Sequence, residues 1–231
     1  MGLKVDMSRS VLITGATSGI GRSLVVQLAA RHWRVLASGR NHDALASLQV
    51  ETGCEVMAVD LSDSSAAEQL FEMAWNRLDG VDVLVNGAGM NQRKVPVEEI
   101  EVPDWEAHMA LNLRAPMVLC REAMRRMPAG GHILNVVSTI ALSSQANYSI
   151  YAASKYGLLG FTNTLRKEAQ SRGIKVTAAF PGGTDTAFRT EERLDYMRPD
   201  SAALMLVQAL EAPADVVMHE VVYRAMVETN F

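Results

Sequence analysis

Apolar residues in this chain fall into two alternating patterns. Short, nearly uninterrupted runs rich in Val, Ile and Leu read as buried strands at 10–14, 34–38, 55–61, 81–85, 131–138, 173–180 and 216–224. Between them, apolar residues recur every three or four positions, as on one face of a helix, over 23–31, 42–50, 64–78, 105–127, 151–171 and 199–211. Strand and helix alternate from end to end. That order predicts an α/β fold: a single Rossmann-type, doubly wound parallel sheet of about seven strands with helices on both faces. One domain over 1–231 accommodates it.

The strands' near-continuous apolarity suits a sheet covered on both sides. Between them, residues 90–103 form a loop of mixed charge that reads as one wall of a substrate mouth. The polar stretch 187–198, with Phe188, Leu194, Tyr196 and Met197, reads as a mobile lid.

The strand at 10–14 runs directly into Gly15-Ala16-Thr17-Ser18-Gly19-Ile20-Gly21 and then into a helix. Glycines permit a tight turn and close approach of a ligand to the backbone. The following helix start offers free N–H groups and the positive end of its dipole to a pyrophosphate. The second strand ends in Ser38-Gly39-Arg40-Asn41, with no acid at its tip. An acid there would accept from ribose hydroxyls and favour NAD; Arg40 instead matches a 2′-phosphate, with Ser38 and Asn41 as further donors and Arg22 as a second cation. The pattern favours NADP(H), with NAD(H) still admissible. Asp60 stands at the end of the third strand, where open α/β sheets bind ligands, although it reads equally well as the start of a turn.

Tyr151 and Lys155 are four residues apart, one helical turn on the same face. A nearby ammonium lowers the phenol's pKa and equips it for proton transfer to an oxygen. Pro116, inside the helical pattern 105–127, frees the carbonyl four residues earlier, that of Asn112, as a water anchor.

These motifs together resemble the short-chain dehydrogenase/reductase family, in its single-domain branch with a Tyr-x-x-x-Lys active site. The resemblance covers about 8–225, with motifs in the family's order: the glycine loop, Asn86-Gly87-Ala88-Gly89, Asn112, Ser138, Tyr151/Lys155 and Pro181-Gly182 with Thr186. The family usually has Asn where this chain has Gly87, and many members end in an Asp-Gly-Gly turn that is absent here. The resemblance implies a catalytic set of Asn112, Ser138, Tyr151 and Lys155, with Thr139 an alternative to Ser138. It implies a cofactor site of Gly15, Thr17, Ser18, Gly19, Ile20, Gly21, Ser38, Arg40, Asn41, Asp60, Leu61, Asn86, Ala88, Gly89, Tyr151, Lys155, Pro181, Gly182, Thr184 and Thr186. The implied activity interconverts a carbonyl and a secondary alcohol by hydride transfer. A 3-oxoacyl thioester reductase is one specific form. An NADP(H)-binding sensor, or an epimerase or dehalogenase on the same scaffold, is the competing class. Relatives also imply a homodimer or homotetramer through 105–127 and 151–171; the sequence itself shows only a wide apolar surface there.

Composition changes this picture little. Hydrophobic residues make up 48% and charged residues 21%, and the net charge is −4. No basic excess points to nucleic acid and no run of 18 apolar residues points to a membrane span. Cys54 and Cys120 lack metal-ligand spacing and read as free thiols, so the expectation is a metal-free, cytoplasmic enzyme acting on a small carbonyl or alcohol.

Overall fold

A computed structural model describes residues 9–188 and 192–228. The strands β1 (Ser10–Thr14), β2 (Arg34–Gly39), β3 (Glu55–Ala58), β4 (Val83–Asn86), β5 (His132–Val136), β6 (Lys175–Pro181) and β7 (Glu220–Tyr223) form one sheet in the order β3-β2-β1-β4-β5-β6-β7. All six pairings are parallel. The helices are α1 (Gly19–Ala29), α2 (His42–Thr52), α3 (Ala66–Arg77), α4 (Val102–Met109), α5 (Ala115–Arg126), α6 (Ser149–Gln170) and α7 (Pro199–Leu210).

The period-two geometry of the strands sorts side chains between two cores. Val11, Ile13, Val35, Ala37, Val83 and Val85 point to α1, α2 and α7. Leu12, Leu36, Leu84, Ile133 and Val176 point to α3, α5 and α6. The sheet is thus wound on both faces, as the alternation of patterns predicts. The chain reverses its direction of travel across the sheet between β1 and β4, so their carboxyl ends diverge and open a crevice.

The structure corrects several boundaries. The first helix begins at Gly19 rather than Ser23, so the glycine loop feeds straight into it. The third strand stops at Ala58. Asp60 therefore lies in a turn, where its Oδ1 accepts from the Ser62 N–H at 2.9 Å. The helix expected at 105–127 is two helices. The first starts at Val102 with Glu101 as N-cap and Pro103 in its first turn. A π-helical turn at Ala110–Arg114 separates it from the second. Pro116 lies in the first turn of α5, where its missing N–H leaves the ladder a residue out of step. The last strand pairs only over Glu220–Tyr223, because the segment before it binds through side chains instead: Lys175 Nζ donates to the carbonyls of Pro213 and Val216, and Thr177 Oγ1 to that of Met218. Among the described residues no helix is long and apolar enough to cross a membrane.

Candidate active site

A cleft of about 460 Å³ opens at the carboxyl ends of β1, β4, β5 and β6. Its inner end is the glycine loop. Gly15 holds φ +72°, and a Cβ there would lie 2.7 Å from the backbone of Gly87 and Ala88. A Cβ on Gly21 would lie 2.2 Å from the Gly15 carbonyl oxygen. Neither position accepts a side chain, so the loop and the helix start lie flush against β4. Ser18 caps α1 without a side-chain hydrogen bond, and its first turn contains no acid. Its amides therefore face the cleft with their positive dipole uncompensated. Thr17, Ser18, Gly19 and Ile20 line the same wall. This cradle, backed by small residues and rimmed by helix N–H groups, fits a dinucleotide pyrophosphate.

Arg40 lines the cleft next to Gly39, at the end of β2. Its Nη1 is 3.9 Å from Asp60 Oδ2, a distant and exposed pair that leaves the guanidinium available to a stronger anion. The other residues expected at this end are placed differently. Ser38 is fully buried behind the strand, and its Oγ has no partner. Asn41 spends its Oδ1 on the Ala44 N–H as N-cap of α2. Asp60 is held in its turn, whereas Leu61 reaches the wall. Asn86 faces the core, donating to Asn135 Oδ1 at 2.8 Å and to Cys120 Sγ at 3.3 Å. It braces β4 against β5 and does not line the cleft. Ala88 and Gly89 do. A Cβ on Gly87 would sit 2.7 Å from the Thr14 carbonyl, so the chain's departure from Asn here accompanies a close approach of the two strand ends.

At the other end, α6 brings Tyr151 and Lys155 to the cleft wall beside Ser138 and Thr139, just past β5. Tyr151 is 8% exposed and Lys155 4%. Lys155 Nζ lies 5.8 Å from the Tyr151 ring centre and donates to the Val136 carbonyl at 2.9 Å. Burial pulls its pKa down from 10.5 to about 8. Ser138 Oγ accepts from the Ile140 N–H at 3.2 Å, which aims the hydroxyl along the start of the following turn.

Asn112 sits in the π-helical turn, fully buried. Its amide clamps Met90, accepting from the N–H at 2.8 Å and donating to the carbonyl at 2.9 Å, and donates to Ser154 Oγ at 3.1 Å. Ser154 in turn donates to the Tyr151 carbonyl at 2.7 Å. Asn112 therefore ties the loop after β4 to the helix that carries Tyr151. Pro181, Gly182, Thr184 and Thr186 line the cleft after β6. Asp185 N–H donates to the Met197 carbonyl and Met197 N–H to the Gly183 carbonyl, pinning the root of the expected lid. The Phe188 ring lies 6.0 Å from that of Tyr151. The expected lid at 187–198 includes 189–191, which fall outside the described residues.

Some contributors were not evident from the sequence. Thr14 Oγ1 accepts from the N–H groups of Gly87 and Ala88, locking the glycine loop to the end of β4. Gly183 lies against the Tyr196 ring, 2.4 Å from a built Cβ; the doubled glycine was its only signal. Glu228 Oε2 accepts from Gly183 N–H at 2.7 Å and Ala225 N–H at 3.1 Å, fastening the segment after β7 to the cleft, with no sequence signal at all.

Comparison with known proteins agrees with this geometry. A family model described as short chain dehydrogenase matches residues 9–197. A 3beta-hydroxysteroid dehydrogenase from Mediterraneibacter gnavus is 35% identical over 191 residues, 80% of this chain and 69% of that protein. A 3-oxoacyl-[acyl-carrier-protein] reductase from Synechocystis is 33% identical, covering 74% of this chain and 72% of that one. Among solved structures, a blue fluorescent protein from a metagenomic library in complex with NADPH superposes with a TM-score of 0.86 at 30% identity, covering 93% and 95% of the two chains.

Proposed function

The chain belongs to the short-chain dehydrogenase family, and on that premise we propose that it is an NADP(H)-dependent enzyme that reduces a small carbonyl compound to a secondary alcohol, and the reverse. As a family member it is an oxidoreductase of CH–OH groups. The observation that carries the reading is the buried pair Tyr151 and Lys155 in the same cleft as the glycine cradle.

A bound nicotinamide cofactor supplies the hydride in reduction and accepts it in oxidation. The chain's own groups do the rest. Ser138 donates to the substrate oxygen and holds it. Tyr151 gives its phenolic proton to that oxygen as negative charge develops there. Lys155, as an ammonium, stabilises the phenolate left on Tyr151. Asn112, in the π-helical turn next to the helix that carries Tyr151, anchors the water that returns a proton. In reduction, one hydride and one proton convert C=O to CH–OH.

Arg40 supports NADP(H), since it is the cation on the cleft wall at the end of β2 and its one carboxylate neighbour, Asp60, is a distant and exposed partner that a 2′-phosphate can displace. We place a second copy of the chain on the apolar groove lined by Pro103, Ala107, Leu113, Met117, Val118 and Phe161. The relatives' names add hydroxysteroids and 3-oxoacyl thioesters to the substrates worth trying. The test is NADPH oxidation across ketones, oxo esters, steroids and thioesters, with NADH in parallel. Turnover of at least one class with NADPH supports the reading. Tight NADPH binding without turnover of any class favours a sensor and overturns it.

A further inference from the structure

The charged groups on the cleft wall are mostly cations. Among the described residues it presents Arg40, Lys94, Lys155 and Arg224 against one carboxylate, that of Glu228. Glu228 is engaged by two backbone N–H groups, Arg40 stands at the glycine-loop end, and Lys155 is bonded to Val136. Lys94 is different. It comes from the loop after β4, and its Nζ lies 5.5 Å from the centre of the Tyr148 ring. That ring is 6.5 Å from the Tyr151 ring, so one aromatic side chain bridges Lys94 and the proton donor. No carboxylate among the described residues lies within 4.0 Å of Lys94. Its neighbour Arg93 is paired with Asp104 at 3.2 Å instead.

A second, independent observation falls on the same loop. Asn91 is only 8% exposed, lines the cleft, and its Oδ1 is buried with no hydrogen-bond partner. A buried amide left unpaired is costly, and such groups are normally satisfied. With Oδ1 buried, Nδ2 is the end of the amide left to donate into the cleft. One ammonium and one amide on one wall match the single charge and two oxygens of a carboxylate better than a phosphate dianion, which calls for more cations.

We propose that Lys94 and Asn91 form an anion subsite of the substrate pocket, so that the preferred substrates are oxo acids: carbonyl compounds with a carboxylate that reaches this wall while the carbonyl faces Tyr151. The inference rests on the reductase reading and narrows it. The test compares 3-oxobutanoate, 4-oxopentanoate and 5-oxohexanoate, each beside its methyl ester, by NADPH oxidation at pH 7. Wild type is expected to prefer at least one acid over its ester by tenfold or more in kcat/KM. Lys94→Met should cut that acid-to-ester ratio at least tenfold, mainly through KM, and Lys94→Arg should restore most of it. Asn91→Leu should lower the same ratio. A variant that merely misfolds lowers both rates and leaves the ratio in place, so an unchanged ratio in Lys94→Met overturns the subsite. Ester preference in wild type overturns it too, while leaving the reductase standing. Failure of every carbonyl in the wider panel overturns the reductase reading itself.

Discussion

Replacing Lys155 by Met should make the protein more stable and nearly inactive. The ammonium is 4% exposed and has one hydrogen bond, to the Val136 carbonyl at 2.9 Å. A pKa that falls from 10.5 to about 8 on burial corresponds to about 3 kcal/mol against the charged form in the folded state. Met fills a similar volume without charge. Losing the hydrogen bond returns ~1–2 kcal/mol, which leaves a net gain of about 1–2 kcal/mol at pH 7. The pH dependence has a definite sign. Below pH 8 both folded and unfolded wild type hold the proton, and the penalty is present in full. Between about pH 8 and 10.5 the unfolded chain binds the proton that the folded chain has released, so wild-type stability rises by ~1.4 kcal/mol per pH unit relative to the variant. Urea unfolding of both proteins without cofactor, at pH 7 and pH 9.5, reads this directly. The variant's advantage should be largest at pH 7 and shrink at pH 9.5. A variant less stable than wild type by the same margin at both values would refute the idea that Lys155 is held charged at a cost for the sake of catalysis.

Other consequences can be checked alongside. Gly21→Ala forces a Cβ to within 2.2 Å of the Gly15 oxygen, so NADPH affinity should fall by about a hundredfold as the loop shifts; a dissociation constant within threefold of wild type contradicts the cradle. Arg40→Ala should remove tenfold or more of the preference for NADPH over NADH in fluorescence titrations, and no change would make Arg40 a bystander. His132 is buried with a pKa near 3, chiefly through desolvation, and donates its Nε2–H to Thr177, whose hydroxyl is spent on Met218. Its folded pKa lies below the usual 6.5, so its neutral form supports stability above pH 6.5, and that support drains at ~1.4 kcal/mol per unit as pH falls towards 3. His132→Gln should flatten the acid limb of stability between pH 6.5 and 4.5, and parallel slopes for both proteins would exclude the residue as a source of acid sensitivity.

Much of this was written in local pattern. Period-two and period-3.6 runs gave all seven strands and the helices around them, because each element's buried face is legible from the residues that must line it. The glycine loop, Tyr151 with Lys155, and Ser138 at a strand end were visible as residue types at fixed spacing. Two kinds of feature were hidden. One is the direction a side chain takes at a strand end: Ser38 and Asn86 are one position from the cleft, yet both turn into the core, a parity that only the sheet register decides. Asn41 likewise reads as a phosphate donor until the adjacent helix claims it as a cap. The other is contact across long separations. Thr14 with Gly87, Glu228 with Gly183, and Asn112 with Met90 join segments whose proximity follows from the closed fold and from no local signal. The π-helical turn lay between. Pro116 marked the disturbance, but the result is a break between two helices where one had been expected.

The most direct test of the account is Tyr151→Phe, measured for NADPH binding and for single-turnover carbonyl reduction in the same preparation. The ring's packing against Phe188 and near Lys155 is kept, and only the hydroxyl is lost. NADPH affinity should stay within a few-fold of wild type and the reduction rate should fall by about a thousandfold or more, the scale of a removed general acid. A Phe variant that binds NADPH normally and still reduces substrate within tenfold of wild type would contradict that role.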